Sequence, residues 1–309
     1  MLPVPSLVRR SVLVVPILDA ESVRRAWSHN ADAVMLDISG VPETERRRAR
    51  SLLPEAILTA ARGGAEVFVR IGKDVAYADI TAAALPGLAG VALPDAESPE
   101  DVAEVDAMLR ERERIEGIPG GRLEIFLLLS TARGVWNIRQ LLRASERVSA
   151  AALDEPALCR SLGVMPSDEF DALTFGRGRL IVETLAITRL PVGMGHPLAA
   201  RPRQLTEEEL FHAATDARNV GFKGALCPYP SWVEPCNRAF TPTDEQVEYY
   251  REVRRTFAEG VARGTAAVAF AGGQMIDVPV DERAKLGIDL WERCRKRDRE
   301  KAAALQRAT

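Results

Sequence analysis

Ala33-Val-Met-Leu-Asp37, the helical pattern over Glu43–Arg62 and Glu66-Val-Phe-Val-Arg-Ile71 follow one another as strand, helix and strand. Both strands are nearly continuous apolar runs rather than alternating ones, so both of their faces are covered, as in a parallel sheet joined by helical crossovers. Pro54 falls inside the helical pattern and reads as a break or as the first residue of a new helix. Working outward, Ser11–Ile17 is a preceding strand and Ala20–Asn30 its helix. Leu88–Pro94 is a fourth strand, followed by a helix over Ser98–Arg114 with Ser98 as its cap and Asp101 completing a capping box. Leu123–Leu129 and Val148–Leu153 are the fifth and sixth strands. A helical stretch over Asp168–Arg189 leads to Val192-Gly-Met-Gly195, a strand of poor composition. Thr206–Val220 is a helix capped by Thr206, and Phe222–Cys227 is the eighth strand.

Eight strand–helix units with right-handed crossovers predict a closed (β/α)8 TIM barrel. The structural rival is an open doubly wound sheet, but no G-x-G-x-x-G follows the first strand. Beyond Thr241 the pattern changes to a charged helix over Thr243–Gly264, a short apolar run at Ala266–Phe270, a Gly272-Gly273 turn and a last helix over Pro279–Thr309. Residues 1–264 are therefore assigned to the barrel. Residues 265–309 form a C-terminal helical extension that packs on the barrel or on a neighbouring subunit.

The composition narrows the classes of function. Forty-one Lys+Arg against 44 Asp+Glu give a net charge of −3, so no overall basic field exists to hold nucleic acid or an anionic membrane. No apolar run approaches the ~20 residues of a membrane span. Met1–Pro5 lacks the basic start of a signal peptide, which predicts a cytoplasmic protein. Cys159, Cys227, Cys236 and Cys294 form no CxxC pair, and His29, His196 and His212 have no zinc-ligand spacing. Reduced thiols and no zinc site are expected.

In a (β/α)8 barrel the chemistry gathers where strands end. The polar residues there are Asp37, Arg70, Asp95, Ser130, Asp154 and Glu155. An arginine inside the apolar run Val69-Arg70-Ile71 is costly unless it meets an anion. That anion is either a bound ligand or an internal partner such as Asp37, and the residues leave both open. Asp37, Asp95 and the Asp154-Glu155 pair read equally as polar strand caps.

The order of motifs resembles the citrate lyase β-subunit / malyl-CoA lyase family, of the HpcH-HpaI aldolase-like type. The resemblance is carried by Arg9-Arg-Ser-Val-Leu-Val-Val-Pro16, Ala31-Asp-Ala-Val-Met-Leu-Asp37, Val69-Arg70, Gly90-Val-Ala-Leu-Pro94 and Thr131-Ala-Arg-Gly134. Later come Pro230-Ser-Trp-Val-Glu-Pro-Cys-Asn-Arg-Ala-Phe-Thr-Pro242 and Gly273-Gln-Met-Ile-Asp-Val-Pro279. It implies a barrel with a helical extension, assembled as a trimer or a multiple of one. It also implies a Mg²⁺-dependent lyase that cleaves or forms a carbon–carbon bond in a small carboxylic acid or its CoA thioester. Arg10, Arg70 and Asp37 are carried over as substrate-binding residues. Asp277 is carried over as a catalytic group acting in a neighbouring subunit, although an Asp before Val278-Pro279 reads equally as a helix cap.

Several positions depart from the pattern. The family's metal-binding Glu before Thr-Ala-Arg-Gly is Ser130 here. An ungapped reading of Gly-x-Glu-Asp-Leu falls on Asp154-Glu-Pro-Ala-Leu158, which puts Ala157 at the second ligand and Asp154 at the glycine. Asp37-Ile-Ser-Gly40 carries Ser39 and Gly40 where an acidic pair is usual. Leu93-Pro-Asp95 replaces Leu-Pro-Lys, and Ala225 and Tyr229 replace a Lys and a His. A serine and an alanine do not substitute for two carboxylates around a hard divalent cation. The expectation is a family fold whose usual Mg²⁺ site is degraded, with Asp95, Asp154 and Glu155 as a candidate displaced acidic site. Three functions compete: a lyase on a small acid or acyl-CoA, a catalytically silent barrel binding an acyl metabolite or partner protein, and a metal-free thioester hydrolase with Asp277 as base.

Overall fold

In the computed structural model the described residues are 7–165, 167, 169–194, 205–265, 267–270 and 275–308. The chain runs β1 (Ser11–Pro16), α1 (Ala20–Arg25), β2 (Ala33–Asp37), α2 (Glu43–Ala61), β3 (Glu66–Arg70), α3 (Ala76–Ala83), β4 (Gly90–Pro94), α4 (Pro99–Glu116), β5 (Glu124–Leu129), α5 (Ala132–Trp136), α6 (Ile138–Arg143), β6 (Val148–Leu153), α7 (Glu155–Leu162), α8 (Thr174–Leu185), β7 (Leu190–Val192), α9 (Glu207–Val220), β8 (Ala225–Cys227) and α10 (Val233–Ala239). Two long helices, α11 (Asp244–Ala262) and α12 (Val278–Ala308), flank a two-stranded hairpin of β9 (Val268–Ala269) and β10 (Met275–Ile276).

β1 to β8 form one parallel sheet in the order β7-β6-β5-β4-β3-β2-β1-β8. The ring closes where Val192 bridges to Gly224, with Gly193 N–H donating to Gly224 O at 2.9 Å and Lys223 N–H to Pro191 O at 2.9 Å. Closure brings backbones so near that a Cβ on Gly224 would lie 1.8 Å from Arg9 O, so only glycine fits. The protein is thus a (β/α)8 barrel.

Strand periodicity divides the core in two. Val12, Ala33, Met35, Phe68, Ala92, Phe126, Leu128, Ala150, Ala152, Leu190 and Val192 fill the barrel interior. Phe68 and Phe126 meet edge to face there, with centroids 5.9 Å apart. The alternate residues, among them Leu13, Val34, Leu36, Val69, Leu93, Leu127 and Leu153, pack outward under the helices. Neither face meets water, which is why the strands read as continuous apolar runs.

Some expectations need correction. Pro54 neither breaks nor starts a helix: α2 runs through it, and Pro54 is exposed, so the carbonyl its ring leaves without an amide partner lies on the solvent side. The seventh strand is Leu190–Val192, earlier than Val192–Gly195, because its pairing to Ala150–Ala152 is set by the ring rather than by composition. The helical stretch read over Asp168–Arg189 is helical over Thr174–Leu185 only, as α8, and a separate helix that the reading did not include, α7, directly follows β6. His196, Gly195, Asp168, Ala266, the Gly272-Gly273 turn and Thr309 lie outside the described residues.

α11 and α12 lie lengthwise against each other. Val253, Ile276 and Ala284 make a small cluster of their own, with Tyr250, Phe257, Phe270 and Val280 packed around it. The far end of α12 reaches the floor of the barrel, where Lys301 Nζ donates to Asn30 O at 2.8 Å and Asp32 Oδ1 at 2.7 Å.

Candidate functional site

Asp37, Arg70, Ser130 and Asp154 each stand two residues beyond an interior residue of their strand (Met35, Phe68, Leu128 and Ala152). They therefore project into the C-terminal mouth, and the β2–β3 register sets Asp37 beside Arg70. Arg70 Nη2 donates to Asp154 Oδ2 at 2.6 Å, and Arg70 Nη1 lies 3.6 Å from Asp37 Oδ2. The three side chains are 23%, 17% and 22% exposed, so the cluster is open to solvent on one side. Arg70 Nε is buried and has no acceptor. Such an orphaned donor costs roughly 1–3 kcal/mol in the absence of a partner.

Both carboxylates are held in place. Asp37 Oδ1 accepts from Ser39 N–H at 2.8 Å and Ser39 Oγ at 2.7 Å. Asp154 caps α7, its Oδ1 accepting from Ala157 N–H at 3.2 Å, while its other oxygen meets Arg70.

Beside this cluster, Asp95 leaves β4 with φ of +54°, and its side chain accepts a hydrogen bond from Ser130 Oγ. An aspartate in the left-handed region is uncommon and costs about 1 kcal/mol, which makes the turn a specific feature of the mouth. Lys73 Nζ fixes it by donating to Asp95 O at 2.9 Å and to Asp101 Oδ2 at 3.0 Å. Partial burial pushes the Asp101 carboxyl up. The amides of Glu97 and Ser98 and the Lys73 ammonium outweigh that and hold it below the usual range. Arg133, on the Thr131–Gly134 turn, is exposed and lies 3.7 Å from Glu97.

The remaining candidates are elsewhere. Arg10 lies at the opposite end of the barrel: it precedes β1 and bonds Asp32 through Nε at 2.8 Å and Nη2 at 2.9 Å, and it also bonds Thr241 and Asp298. Glu155 is buried in the helix layer, where Arg177 Nε and Nη2 donate to it at 2.7 and 2.6 Å. Asp95, Asp154 and Glu155 thus do not converge, because consecutive residues leaving β6 point to opposite faces of the barrel wall. Asp277 caps α12, accepting from Val280 N–H at 3.1 Å. It is roughly 36 Å along the helix from Lys301 under the barrel floor, and no hydrogen bond or ion pair joins it to Arg70 among the described residues.

A second structural cluster escaped the sequence reading. Arg9 is fully buried at the N-terminal end of the barrel, with Nε 2.7 Å from Glu66, Nη2 2.7 Å from Glu124 and Nη1 3.1 Å from Ser149 Oγ. Its guanidinium lies 4.8 Å from the Phe68 ring centroid. The available signal was that Glu66 and Glu124 open their strands on the interior side.

Ser130 and Ala157 stand where the resembling family is expected to place its Mg²⁺ ligands. Ser130 offers one neutral hydroxyl, already bonded to Asp95, and Ala157 offers no donor atom. Asp154 bonds Arg70 with one oxygen and caps α7 with the other. Among the described residues, no group of three or more His, Cys, Asp or Glu is placed to hold a metal ion. Magnesium is usually held by one or two carboxylates in a near-octahedral shell, and the carboxylates present at this mouth, Asp37, Asp95 and Asp154, are each bonded to a neighbouring side chain. Among the described residues there is also no helix long and apolar enough to cross a membrane.

Comparison with known proteins agrees with the barrel fold. The chain is 26% identical to the citrate lyase subunit beta of Haemophilus influenzae over 285 residues, covering 91% of this chain and 96% of that protein. It is 24% identical to the mitochondrial citramalyl-CoA lyase of Rattus norvegicus, covering 90% and 84%. Among solved structures it superimposes on the CitE protein of Mycobacterium tuberculosis in complex with magnesium, acetoacetate and coenzyme A. The TM-score is 0.69 at 23% identity, over 93% of this chain and 99% of that one, a likeness of fold. Residues 10–228 match the model of the HpcH/HpaI aldolase/citrate lyase family, and the chain belongs to that family.

Proposed function

We propose that the protein is a citrate lyase β-subunit-like carbon–carbon lyase whose barrel mouth takes a small carboxylic acid, or that acid carried as a CoA thioester. The observation that carries this reading is Arg70: an interior arginine at the strand exits, open to solvent on one side and with a donor unsatisfied. Asp37, locked by Ser39, positions it. Relatives named citrate lyase subunit beta and citramalyl-CoA lyase, and a fold neighbour holding acetoacetate and coenzyme A, support the substrate class.

Ser130 and Ala157 favour a second reading, a silent or metal-free barrel that binds an acyl metabolite or a partner protein. The two readings separate in one assay. Cleavage of citryl- and malyl-type CoA thioesters is measured with Mg²⁺ and with EDTA. Weak, metal-independent turnover that Arg70→Gln abolishes fits a lyase with a degraded metal site. Fast Mg²⁺-dependent turnover contradicts the degraded site, and no turnover with retained ligand binding favours the silent barrel. Ser130→Glu combined with Ala157→Asp is expected to create Mg²⁺ binding seen by isothermal titration where the unaltered protein shows little.

The proposal extends to assembly. With residues 265–309 as an extension, Asp277 serves a neighbouring barrel rather than its own. This is supported by the separate apolar cluster it borders. A trimer or a multiple of one in the cytoplasm is the corresponding state. Light scattering that returns a monomer counts against it.

A further inference from the structure

We propose that Asp154 is an internal competitor of the anionic substrate at Arg70, and so sets which acids the mouth accepts. The inference rests on the reading of Arg70 as the carboxylate-binding group. A guanidinium grips a carboxylate best along an edge that presents two parallel N–H donors. In Arg70 the edge formed by Nε and Nη2 has Nη2 held by Asp154 at 2.6 Å and Nε enclosed without an acceptor. Nη1, on the other side, faces Asp37 at 3.6 Å. A ligand carboxylate that grips the Nε–Nη2 edge therefore takes Nη2 in competition with Asp154, and on doing so it satisfies the orphaned Nε. Two aspartates around one arginine also leave the cluster one negative charge in excess, which opposes an incoming dianion.

Asp154 is suited to letting go. Its second oxygen caps α7, so leaving Arg70 does not undo the helix. The mouth is thereby biased toward ligands whose remaining contacts outweigh the exchange, such as a thioester with a large remote group, and against short free acids. Binding energy from the remote part of the ligand then drives the swap at Arg70.

The test uses the full chain and isothermal titration with malonate, a dicarboxylate without a reactive carbonyl, and with malonamide as its neutral counterpart. Asp154→Asn keeps a good helix cap, checked by an unchanged thermal midpoint, and removes the competing charge. Malonate is expected to bind this variant roughly tenfold or more tightly than the unaltered protein, the scale of one charge-assisted hydrogen bond recovered. Malonamide binding should not change, and adding Arg70→Gln to Asp154→Asn should abolish the gain. Equal malonate affinity in the unaltered protein and Asp154→Asn overturns the competitor role while leaving Arg70 as the acid-binding group. A gain that persists without Arg70 also overturns it. Absence of malonate binding in both proteins overturns the reading of Arg70 itself.

Discussion

The two ends of the barrel both carry arginines among carboxylates, yet they are built to opposite ends. At the floor, every side-chain nitrogen of Arg9 and Arg10 has an acceptor: Glu66, Glu124 and Ser149 for Arg9, and Asp32, Thr241 and Asp298 for Arg10. Both arginines are almost fully buried. At the mouth, Arg70 is open to solvent on one side and keeps an unsatisfied Nε. Burial of an ion pair does not separate structure from function here. Completeness, together with position, does: the floor network has every donor matched, whereas the one at the strand exits has a donor to spare.

Electrostatics at the floor follow from that completeness. Burial works against the charge on Arg9, but Glu66 and Glu124 more than offset it and its pKa is raised. Burial likewise pushes the Asp32 carboxyl up, and Arg10 and Lys301 together hold it below the usual carboxylate range.

The comparison breaks most visibly at Asp32. Asp32→Ala leaves Arg10 and Lys301 with only the partly exposed Asp298 between them, and should cost about 3 kcal/mol in urea unfolding. Acid tests the same group. Because its folded pKa is depressed, its contribution is complete above the ordinary Asp value of about 3.9 and is lost as pH falls through the folded value. Stability measured from pH 5 downward should drop more steeply in the unaltered protein than in Asp32→Asn. Arg9→Leu, which leaves the partly exposed Glu66 and Glu124 unpaired, should cost about 2 kcal/mol, less than Asp32→Ala because water reaches both carboxylates. Arg70→Gln should change stability by less than about 1 kcal/mol while abolishing carboxylate binding. A large stability loss there would place the mouth with the floor. Ser130→Ala should have the smallest effect, about 0.5 kcal/mol in the same denaturation, because the Asp95 it releases is exposed.

The sequence made six of the eight barrel strands legible nearly residue for residue, since apolar runs such as Ala33–Asp37 and Val148–Leu153 are covered on both faces. β7 and β8 are three residues each, and only ring closure defines them. The short helices α3 and α5–α7 escaped because their length gives too little periodicity to read. At the site, Asp37 and Arg70 were legible as neighbours from their strand positions. The reach of Arg70 to Asp154 was not, because β3 and β6 are not adjacent in the sheet and sequence gives no distance across the barrel. Glu155 was misplaced for a related reason: one step along a strand exit turns a side chain from the mouth to the helix layer.

The floor joins the beginning of the chain to its final helix. Arg10, before β1, is completed by Asp298, and Asp32, before β2, by Lys301. Contacts of such sequence separation form late, because most of the chain must be ordered before its ends meet. During synthesis β1 and β2 emerge first, and the buried charges at their bases stay incompletely matched until residues 298–301 leave the ribosome. Folding of this barrel is therefore expected to finish only after most of the chain has been made. Proteolytic removal of the last turns of α12 should send the molecule back to that unfinished state, with the barrel mouth intact in sequence and its foundation loosened.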